Sequence, residues 1–313
     1  MEALLLRALE ERGYVGRVVS IDRLRDLEDE IEGRHRGGAF DEGFYQDNLT
    51  NFVFDLPESI PGARSLIVVS VRQPVVRFTF SWKGERVPVV VPPTYLHWAA
   101  TDRQVEDFLD RVLSAGGYRV ATMLVPKKLL AVRSGLAEYG RNNITYVPGR
   151  GSFHRLVALC SNMPCEDETW QEPQMMERCE NCVACLRKCP SGAIPSERFL
   201  LGAERCLVYH NEQPGEIPFP SWMEAGWHNC LVGCLHCQTV CPENAGVLGW
   251  TEDGAAFSAV ETTRLMAGVP LEELPEETAE KLAVHDLVDL MDLMPRNLAA
   301  LFEARAARAW AWR

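Results

Sequence analysis

Four closely spaced cysteines in this 313-residue chain are the residues whose type and spacing most clearly point to chemistry. The run CENCVACLRKCP reads Cys179-x2-Cys182-x2-Cys185-x3-Cys189 and is followed by proline. This spacing is typical of bacterial two-cluster ferredoxins, where three thiolates bind one [4Fe–4S] cluster and the fourth binds its neighbour. Iron bridged by sulfide favours soft thiolate ligands. Structural zinc sites pair Cys or His in a different pattern, so the run predicts iron–sulfur clusters.

A second run, NCLVGCLHCQTVCPEN, supplies further thiols. Cys234, Cys237 and Cys241 have ferredoxin spacing, but Cys230 lies one residue too far upstream. If the fourth cysteine of each run crosses to the other cluster, the first cluster is bound by Cys179, Cys182, Cys185 and Cys241. The second is bound by Cys189, Cys234, Cys237 and one more thiol. Spacing alone leaves Cys206 and Cys230 as alternatives for that ligand.

Composition limits the function classes. A net charge of −12 argues against a general nucleic-acid surface, because phosphate binding needs clustered Lys and Arg, so nucleic acid is not an expected partner. The N-terminal MEALLLRALEERGY predicts an amphipathic helix rather than a signal peptide. The apolar runs are too short to span a bilayer. A cytoplasmic protein without membrane attachment is expected, and there eleven cysteines indicate metal or redox use rather than disulfides.

Three zones of the chain are expected to position these cysteines. Residues 1–168 alternate helix and strand patterns and predict an α/β or α+β domain. Residues 169–250 are rich in Cys, Pro and Gly and predict a ferredoxin-like module with two [4Fe–4S] clusters. Residues 251–313 predict a short helical C-terminal segment. Individual helices are expected at Leu4–Arg12, Ile21–Glu32, Asp102–Ala115, Lys127–Tyr139, Glu280–Met294 and Asn297–Trp312, with strands at Ser65–Val71 and Tyr118–Val125.

Two stretches give the chain a family resemblance. One is RSGLAEYGRNNITYVPGRGSFHRLVAL, at Arg133–Leu159. The other runs through CPSGAI and AERC to GCLHCQTVCPEN. Together they resemble the epoxyqueuosine reductase and reductive dehalogenase superfamily of cobalamin-dependent iron–sulfur reductases, and the similarity covers roughly residues 60–245.

The resemblance implies a site. The family ligates a cluster with the cysteine of its A-x-R-C segment, which is Cys206 here. Cobalamin would bind against the α/β domain and receive electrons through the clusters. Arg141, on the substrate side, and Tyr139 become catalytic candidates. The candidate cobalamin-binding residues are Tyr95, His97, Gly135, Gly140, Asn142, Gly151 and Ser152. The expected electron donor is a low-potential protein of the ferredoxin or flavodoxin type.

The chain also departs from the family pattern. The stretch ATMLVPKKLLAVRSG has no carboxylic acid at Thr122-Met123-Leu124, where epoxyqueuosine reductases carry an acidic proton donor. No long C-terminal helical-repeat region is evident. These departures and the acidic charge predict that the substrate is a small molecule or a corrinoid rather than epoxyqueuosine in tRNA. Two alternatives stay open: an electron-transfer activator that reduces a partner, such as a corrinoid protein, without its own turnover, and an enzyme that has lost cobalamin.

Overall fold

The computed structural model describes residues 1–197 and 200–310, with side chains to residue 305 in the last helix. It has a mixed α and β fold. The strands are β1 (Val15–Ser20), β2 (Ser65–Arg72), β3 (Val75–Trp82), β4 (Glu85–Val91), β5 (Val120–Thr122), β6 (Glu138–Tyr139), β7 (Thr145–Tyr146), β8 (His154–Ser161) and β9 (Thr251–Phe257). The helices are α1 (Glu2–Glu11), α2 (Arg23–Arg36), α3 (Glu42–Phe44), α4 (Trp98–Ser114), α5 (Lys127–Arg133), α6 (Ala184–Lys188), α7 (Leu207–Asn211), α8 (His236–Thr239), α9 (Ala259–Met266), α10 (Glu276–Val284) and α11 (Met294–Trp310).

The first sheet has the order β1-β2-β8-β5, and all its neighbours are antiparallel. Alternate side chains of a strand point to opposite faces. Accordingly, Leu66 of β2 belongs to one core cluster, which includes residues of α2 and α5, and Ile67 belongs to another, which includes residues of α1 and α4. Helices therefore cover both faces of the sheet, which explains why β2 is buried along nearly its whole length.

Helix α5 is shorter than the sequence pattern predicts. It ends at Arg133 instead of Tyr139, because Gly135 adopts a left-handed backbone with φ of 71° that turns the chain away. Tyr139 lies instead in β6, which pairs with β7 to form a short hairpin. The strand expected over Tyr118–Val125 is limited to β5.

The second sheet has the order β4-β3-β9, and β9 runs parallel to β3. The C-terminal segment, expected to be helical from residue 251, therefore begins with a strand. Gly254 fits this strand against a buried ring, since a Cβ there would lie 2.5 Å from Cε1 of Phe78. Helices α9, α10 and α11 then cover the sheet and share its core.

The helix break near the C-terminus is also misplaced by the sequence prediction. Pro295 does not separate two helices but lies in the first turn of α11, a position that tolerates proline because no backbone N–H is needed there. The break comes earlier, at Asp286, whose φ is 56°. Residues 311 and 312 of the expected last helix lie outside the described residues.

The cysteine-rich part of the chain connects the two sheets. It contains only short helices, α6 to α8, joined by turns. The three domain boundaries inferred from composition stay a prediction. Within the described ranges, no helix is long and apolar enough to cross a membrane.

Candidate metal centre and the recess beside it

The first cysteine loop, residues 179–189, folds its thiols toward one another. The Cys182 amide donates to the Cys179 carbonyl at 3.2 Å, and the Cys189 amide donates to the Cys185 carbonyl at 3.0 Å. Burial raises the pKa of the Cys185 thiol to about 11, and the charges of Cys179, Cys241 and Cys182 add to the rise. Burial and neighbouring thiolate charge oppose ionisation of Cys185, so a cation or cluster is needed to hold it as a thiolate. Cys179, Cys182, Cys185 and Cys241 are called the first thiol set.

The second thiol set forms in the same way. It consists of Cys189 from the first loop, Cys206, and Cys234 and Cys237 from the second cysteine loop, residues 230–241. Burial raises the pKa of Cys206 to about 11, and the charge of Cys189 contributes. Burial also raises the pKa of Cys237, followed by the charges of Cys234 and Cys206. These charges pair Cys241 with the first loop and Cys189 with Cys206, as the crossing of the fourth cysteines requires, and the ligand assignment stays a prediction.

Cys230 has different surroundings from Cys206. It is 1% exposed and packs among Val75, Phe153, Leu235 and Val247. Cys230 is still close enough to Cys234 to raise its pKa, so proximity to one thiol does not separate the alternatives. The apolar packing of Cys230 favours Cys206, whose ligand role stays a prediction.

Two leftover thiols lie away from these sets. Cys160 is buried in the core of the first sheet, and Cys165 packs at its other face. Among the residues that the structure describes, no three His, Cys, Asp or Glu side chains form a site for a single metal ion. The fit to iron–sulfur clusters rests on the predicted donor set, which is eight thiols in two groups of four.

Arg141 contacts the first cysteine loop. Its guanidinium donates to the Cys179 carbonyl at 2.8 Å and to the Cys182 carbonyl at 3.0 Å, with a longer bond to the Glu180 carbonyl. The guanidinium that was expected beside a substrate is therefore hydrogen-bonded to three backbone carbonyls. These contacts are those of a residue that holds the loop, and a catalytic role for Arg141 stays a prediction.

The predicted cobalamin glycines are packed against protein. A Cβ at Gly135 would lie 3.2 Å from Thr169, and one at Gly151 would lie 2.6 Å from the Asn244 side-chain oxygen. Ser152 also donates to the side chain of Gln238 at 2.8 Å, and its amide donates to Asn244 at 2.8 Å. Gly151 and Ser152 thus join the first sheet to the end of the second cysteine loop. A cofactor is not needed to explain these residues.

Gly140 and Asn142 lie inside the β6–β7 hairpin. A Cβ at Gly140 would lie 2.6 Å from the ring of Tyr146. Asn142 is 3% exposed and donates to the Tyr146 hydroxyl at 2.9 Å. Tyr139 lies in the adjacent strand, and burial raises the pKa of its hydroxyl.

A recess opens beside the second thiol set. The side chains of Lys128 and Glu212 reach solvent, yet burial lowers the pKa of Lys128 and raises that of Glu212. Both side chains are accessible to solvent and yet lose much of their hydration. We therefore infer that they line a concave surface with protein on most sides. After burial, the charges of Cys206, Glu212 and Cys237 act on Lys128. Lys128 is thus oriented toward the second thiol set.

Tyr95 completes this recess. Its hydroxyl donates to Glu212, and burial raises its pKa well above the usual value. The charges of Glu212 and then Cys206 raise the Tyr95 pKa further. The sequence identified Tyr95 but missed Lys128 and Glu212. The only available signal was the position of Lys128, directly after the stretch that lacks the expected acid.

His97 lies on another surface. It has a left-handed backbone with φ of 54°, and its amide donates to Asp286 at 2.8 Å. Its side chain lines a cavity of about 160 Å³ with Gln73 and His285. A larger cavity, of about 580 Å³, lies between the second sheet and helices α9 and α10 and contains none of the predicted site residues.

Comparisons with known proteins bear on this arrangement. Residues 178–244 match the family model described as a 4Fe-4S double cluster binding domain. Relatives named epoxyqueuosine reductase come from Francisella cf. novicida (26% identical; 60% of this chain and 54% of the relative), Staphylococcus aureus (25%; 72% and 60%) and Bacillus subtilis (33%; 38% and 29%). The chain resembles epoxyqueuosine reductases. It spans about half the length of the first of these relatives and between 29% and 60% across the three.

Solved structures of epoxyqueuosine reductase share the fold. A selenomethionine-labelled one has a TM-score of 0.66 at 21% identity and covers 96% of this chain and 80% of that chain. A second, crystallised with a tRNA-Tyr epoxyqueuosine-modified stem loop, has a TM-score of 0.66 at 21% identity, with 96% and 79% covered. The sequence-based resemblance and the two-cluster domain are confirmed.

Two predictions are wrong. We expected a substrate other than epoxyqueuosine in tRNA, and we did not expect nucleic acid as a partner. The relatives are named for epoxyqueuosine, and a structure with this fold was crystallised with a tRNA stem loop. The error had two sources. The departures from the family pattern were given too much weight, and the net charge describes the whole surface and not the local patch that a phosphate backbone meets.

Proposed function

We propose that this protein is an iron–sulfur reductase of the epoxyqueuosine reductase type. Two [4Fe–4S] clusters would be held by the first and second thiol sets, with Cys206 as the eighth ligand. The observation that carries the proposal is the placement of the second thiol set beside a recess lined by Lys128, Tyr95 and Glu212. Electrons from a low-potential one-electron donor would pass from the first cluster to the second and then reach that recess.

The recess is the proposed cobalamin site. Polar side chains that line a recess and remain accessible to solvent are suited to bind a large polar cofactor. The second thiol set is adjacent, so a cluster held there would lie next to the cofactor. Cobalamin, when bound, would supply a strongly reducing metal centre. The chain's part is to bind and orient the cofactor and to manage protons. His97, Gly135 and Gly151 contribute less to this site than predicted, because their contacts lie elsewhere.

Protons would be held by the Tyr95–Glu212 pair. Burial raises the pKa of both groups, which favours their protonated forms beside the recess. Lys128 faces the same space and balances negative charge there. These groups replace the carboxylic acid that is missing at residues 122–124.

The substrate proposed for testing is epoxyqueuosine in a tRNA stem loop. Reductive removal of its epoxide oxygen breaks both carbon–oxygen bonds, takes up two electrons and two protons, and releases the oxygen as water, which leaves a carbon–carbon double bond. The two clusters can deliver the electrons one at a time, and the Tyr95–Glu212 pair can supply the protons. The chain's resemblance to epoxyqueuosine reductases supports this assignment.

The test begins with anaerobically purified protein reconstituted with iron and sulfide. We expect two [4Fe–4S] clusters per chain, a changed hydroxocobalamin spectrum on binding, and reduction of an epoxyqueuosine-modified stem loop. Lys128→Met should retain its iron but lose at least tenfold in turnover, whereas Lys83→Met, at an exposed lysine over Trp82, should match the wild type. An unchanged cobalamin spectrum with no cobalt co-eluting would overturn the cofactor assignment. Full cobalamin binding without turnover of the stem loop would overturn the substrate assignment.

A further inference from the structure

The β6–β7 hairpin places a buried polar pair between the two thiol sets. Tyr146 is 2% exposed and Asn142 is 3% exposed. The Tyr146 ring packs with Cys179 and Cys241 of the first thiol set. Buried polar groups at such a position need hydrogen-bond partners, so each donor of the pair can be traced.

The donors of this pair form a directed chain. The Ile144 amide donates to the Asn142 side-chain oxygen at 3.2 Å, which leaves the Asn142 amino group as the donor toward the cysteines. One of its N–H bonds points to the Tyr146 hydroxyl at 2.9 Å. The second Asn142 N–H lies near Cys237, and the Tyr146 ring packs with Cys241. The described residues show no other acceptor for that N–H or for the Tyr146 hydroxyl proton, so these two sulfurs are the acceptors available to them.

Gly140 makes room for this arrangement. A Cβ at residue 140 would lie 2.5 Å from the Asn142 side-chain oxygen and 2.6 Å from Cε2 of Tyr146. Both contacts are too short for any side chain, so a larger residue would displace the pair. The glycine therefore serves the hydrogen bonds between the two thiol sets.

We propose that Asn142 and Tyr146 are positioning residues that set the reduction potentials of the two clusters by donating a hydrogen bond to one thiolate of each. This inference rests on the proposed ligands, in which Cys241 belongs to the first cluster and Cys237 to the second. Reduction adds one electron to a cluster, and its charge spreads onto the ligand sulfurs. A donor at a sulfur stabilises the reduced form and raises the potential. No proton moves, because the O–H and N–H bonds stay intact.

The pair also couples the clusters. In this arrangement Asn142 would donate both to Cys237 and to the hydroxyl that donates to Cys241, so it would contribute to both thiolates. Hydrogen bonds in such a chain polarise one another. Loss of Asn142 should consequently affect both clusters, and loss of the Tyr146 hydroxyl should affect the first cluster most.

The experiment is a redox titration of the reconstituted protein followed by electron paramagnetic resonance. Tyr146→Phe should lower the potential of the first cluster and leave that of the second close to the wild-type value. Asn142→Leu should lower both, with the larger shift at the second. Tyr118→Phe, at a tyrosine that packs with the core of the first sheet, is the control and should shift neither. Iron and sulfide contents should stay at the wild-type level.

Unchanged potentials in fully loaded Tyr146→Phe and Asn142→Leu would overturn the inference. If either variant loses iron, a fluorinated tyrosine at residue 146 provides a second test. Its hydroxyl is a stronger donor in nearly the same volume, so the first-cluster potential should rise, and an unshifted potential would again overturn the inference. Wild-type protein that fails to assemble two clusters would instead contradict the proposed function.

Discussion

The two cysteine loops have similar spacing but different surroundings. In the first loop, Glu180 and Val183 between the cysteines are exposed. In the second, Leu231 and Val232 are buried and join the core of the second sheet. The first loop is fastened from outside by a single arginine, Arg141, whereas the second is built into a core and faces the recess.

Under the proposed function, this difference gives the electrons a direction. A protein donor would approach the first cluster across the exposed residues of its loop. The second cluster would lie beside Lys128 and Tyr95. Nearly identical ligand spacing would then produce an outer cluster that accepts electrons and an inner cluster that delivers them.

The largest expected effect concerns the eighth cluster ligand, Cys206 or Cys230. Cys206→Ala should remove one ligand of the inner cluster and lower the iron content by about half, because the remaining three thiolates lack the fourth corner of the cubane. Cys230→Ala should retain both clusters and lose only core packing. Iron and sulfide analysis of the two variants, reconstituted side by side, decides the assignment. The opposite pattern of iron loss would make Cys230 the ligand.

A smaller effect is expected when the outer loop is loosened. Arg141→Ala removes three charge-assisted hydrogen bonds to backbone carbonyls, so the outer cluster should lose iron to a chelator about tenfold faster, equivalent to roughly 1.4 kcal/mol. The inner cluster should be unaffected. Arg150→Ala is the matched control, since Arg150 donates to the Gly13 carbonyl at 2.6 Å, away from both loops. Equal rates for all three proteins would contradict the role of Arg141.

An effect of the same size concerns the first sheet, which supports the hairpin beside both loops. Burial lowers the pKa of His154 to about 4, and its ring bonds Thr145 of the hairpin at 3.2 Å. Lys128 also lowers this pKa. Below pH 6.5 the unfolded chain binds a proton that the folded chain excludes, so stability falls as pH decreases toward 4.

His154→Gln removes the contribution of His154 to the pH dependence of the free energy of unfolding. The wild type should lose roughly 1.4 kcal/mol more than the variant between pH 7.5 and 5.5, because one pKa unit corresponds to 1.36 kcal/mol. Denaturant unfolding of both proteins across this pH range measures the difference. Parallel pH profiles would show that His154 is not excluded from protonation by folding.

The sequence was most informative where chemistry depends on neighbours along the chain. The ferredoxin spacing of Cys179 to Cys189 is local, so the two-cluster domain could be predicted from it. Cys206 is distant in sequence from its proposed partners, and only resemblance selected it. Arg141 was singled out as a catalytic candidate and Gly140 as a cobalamin-binding residue. A sequence cannot show that backbone carbonyls contact the Arg141 guanidinium or that a tyrosine ring packs at Gly140.

The fold was predicted with the same limitation. Helices with clear apolar periodicity, such as α1 and α4, were located within a few residues. Strand β9 was missed because TEDGAAF has weak β propensity. It exists because β3 provides an edge for it, and such pairing depends on contacts made elsewhere in the chain. The recess was missed for the same reason, since Lys128 and Glu212 meet only in the folded molecule.

The pairing of β9 with β3 has a further consequence for the chain as a polymer. It closes a loop that contains every cysteine, and the proposed ligand sets close smaller loops inside it. Clusters that tie distant residues together reduce the conformational entropy of the unfolded chain, as other covalent cross-links do. Oxidative loss of the clusters would thus release a long internal segment while both of its ends stay anchored in the second sheet.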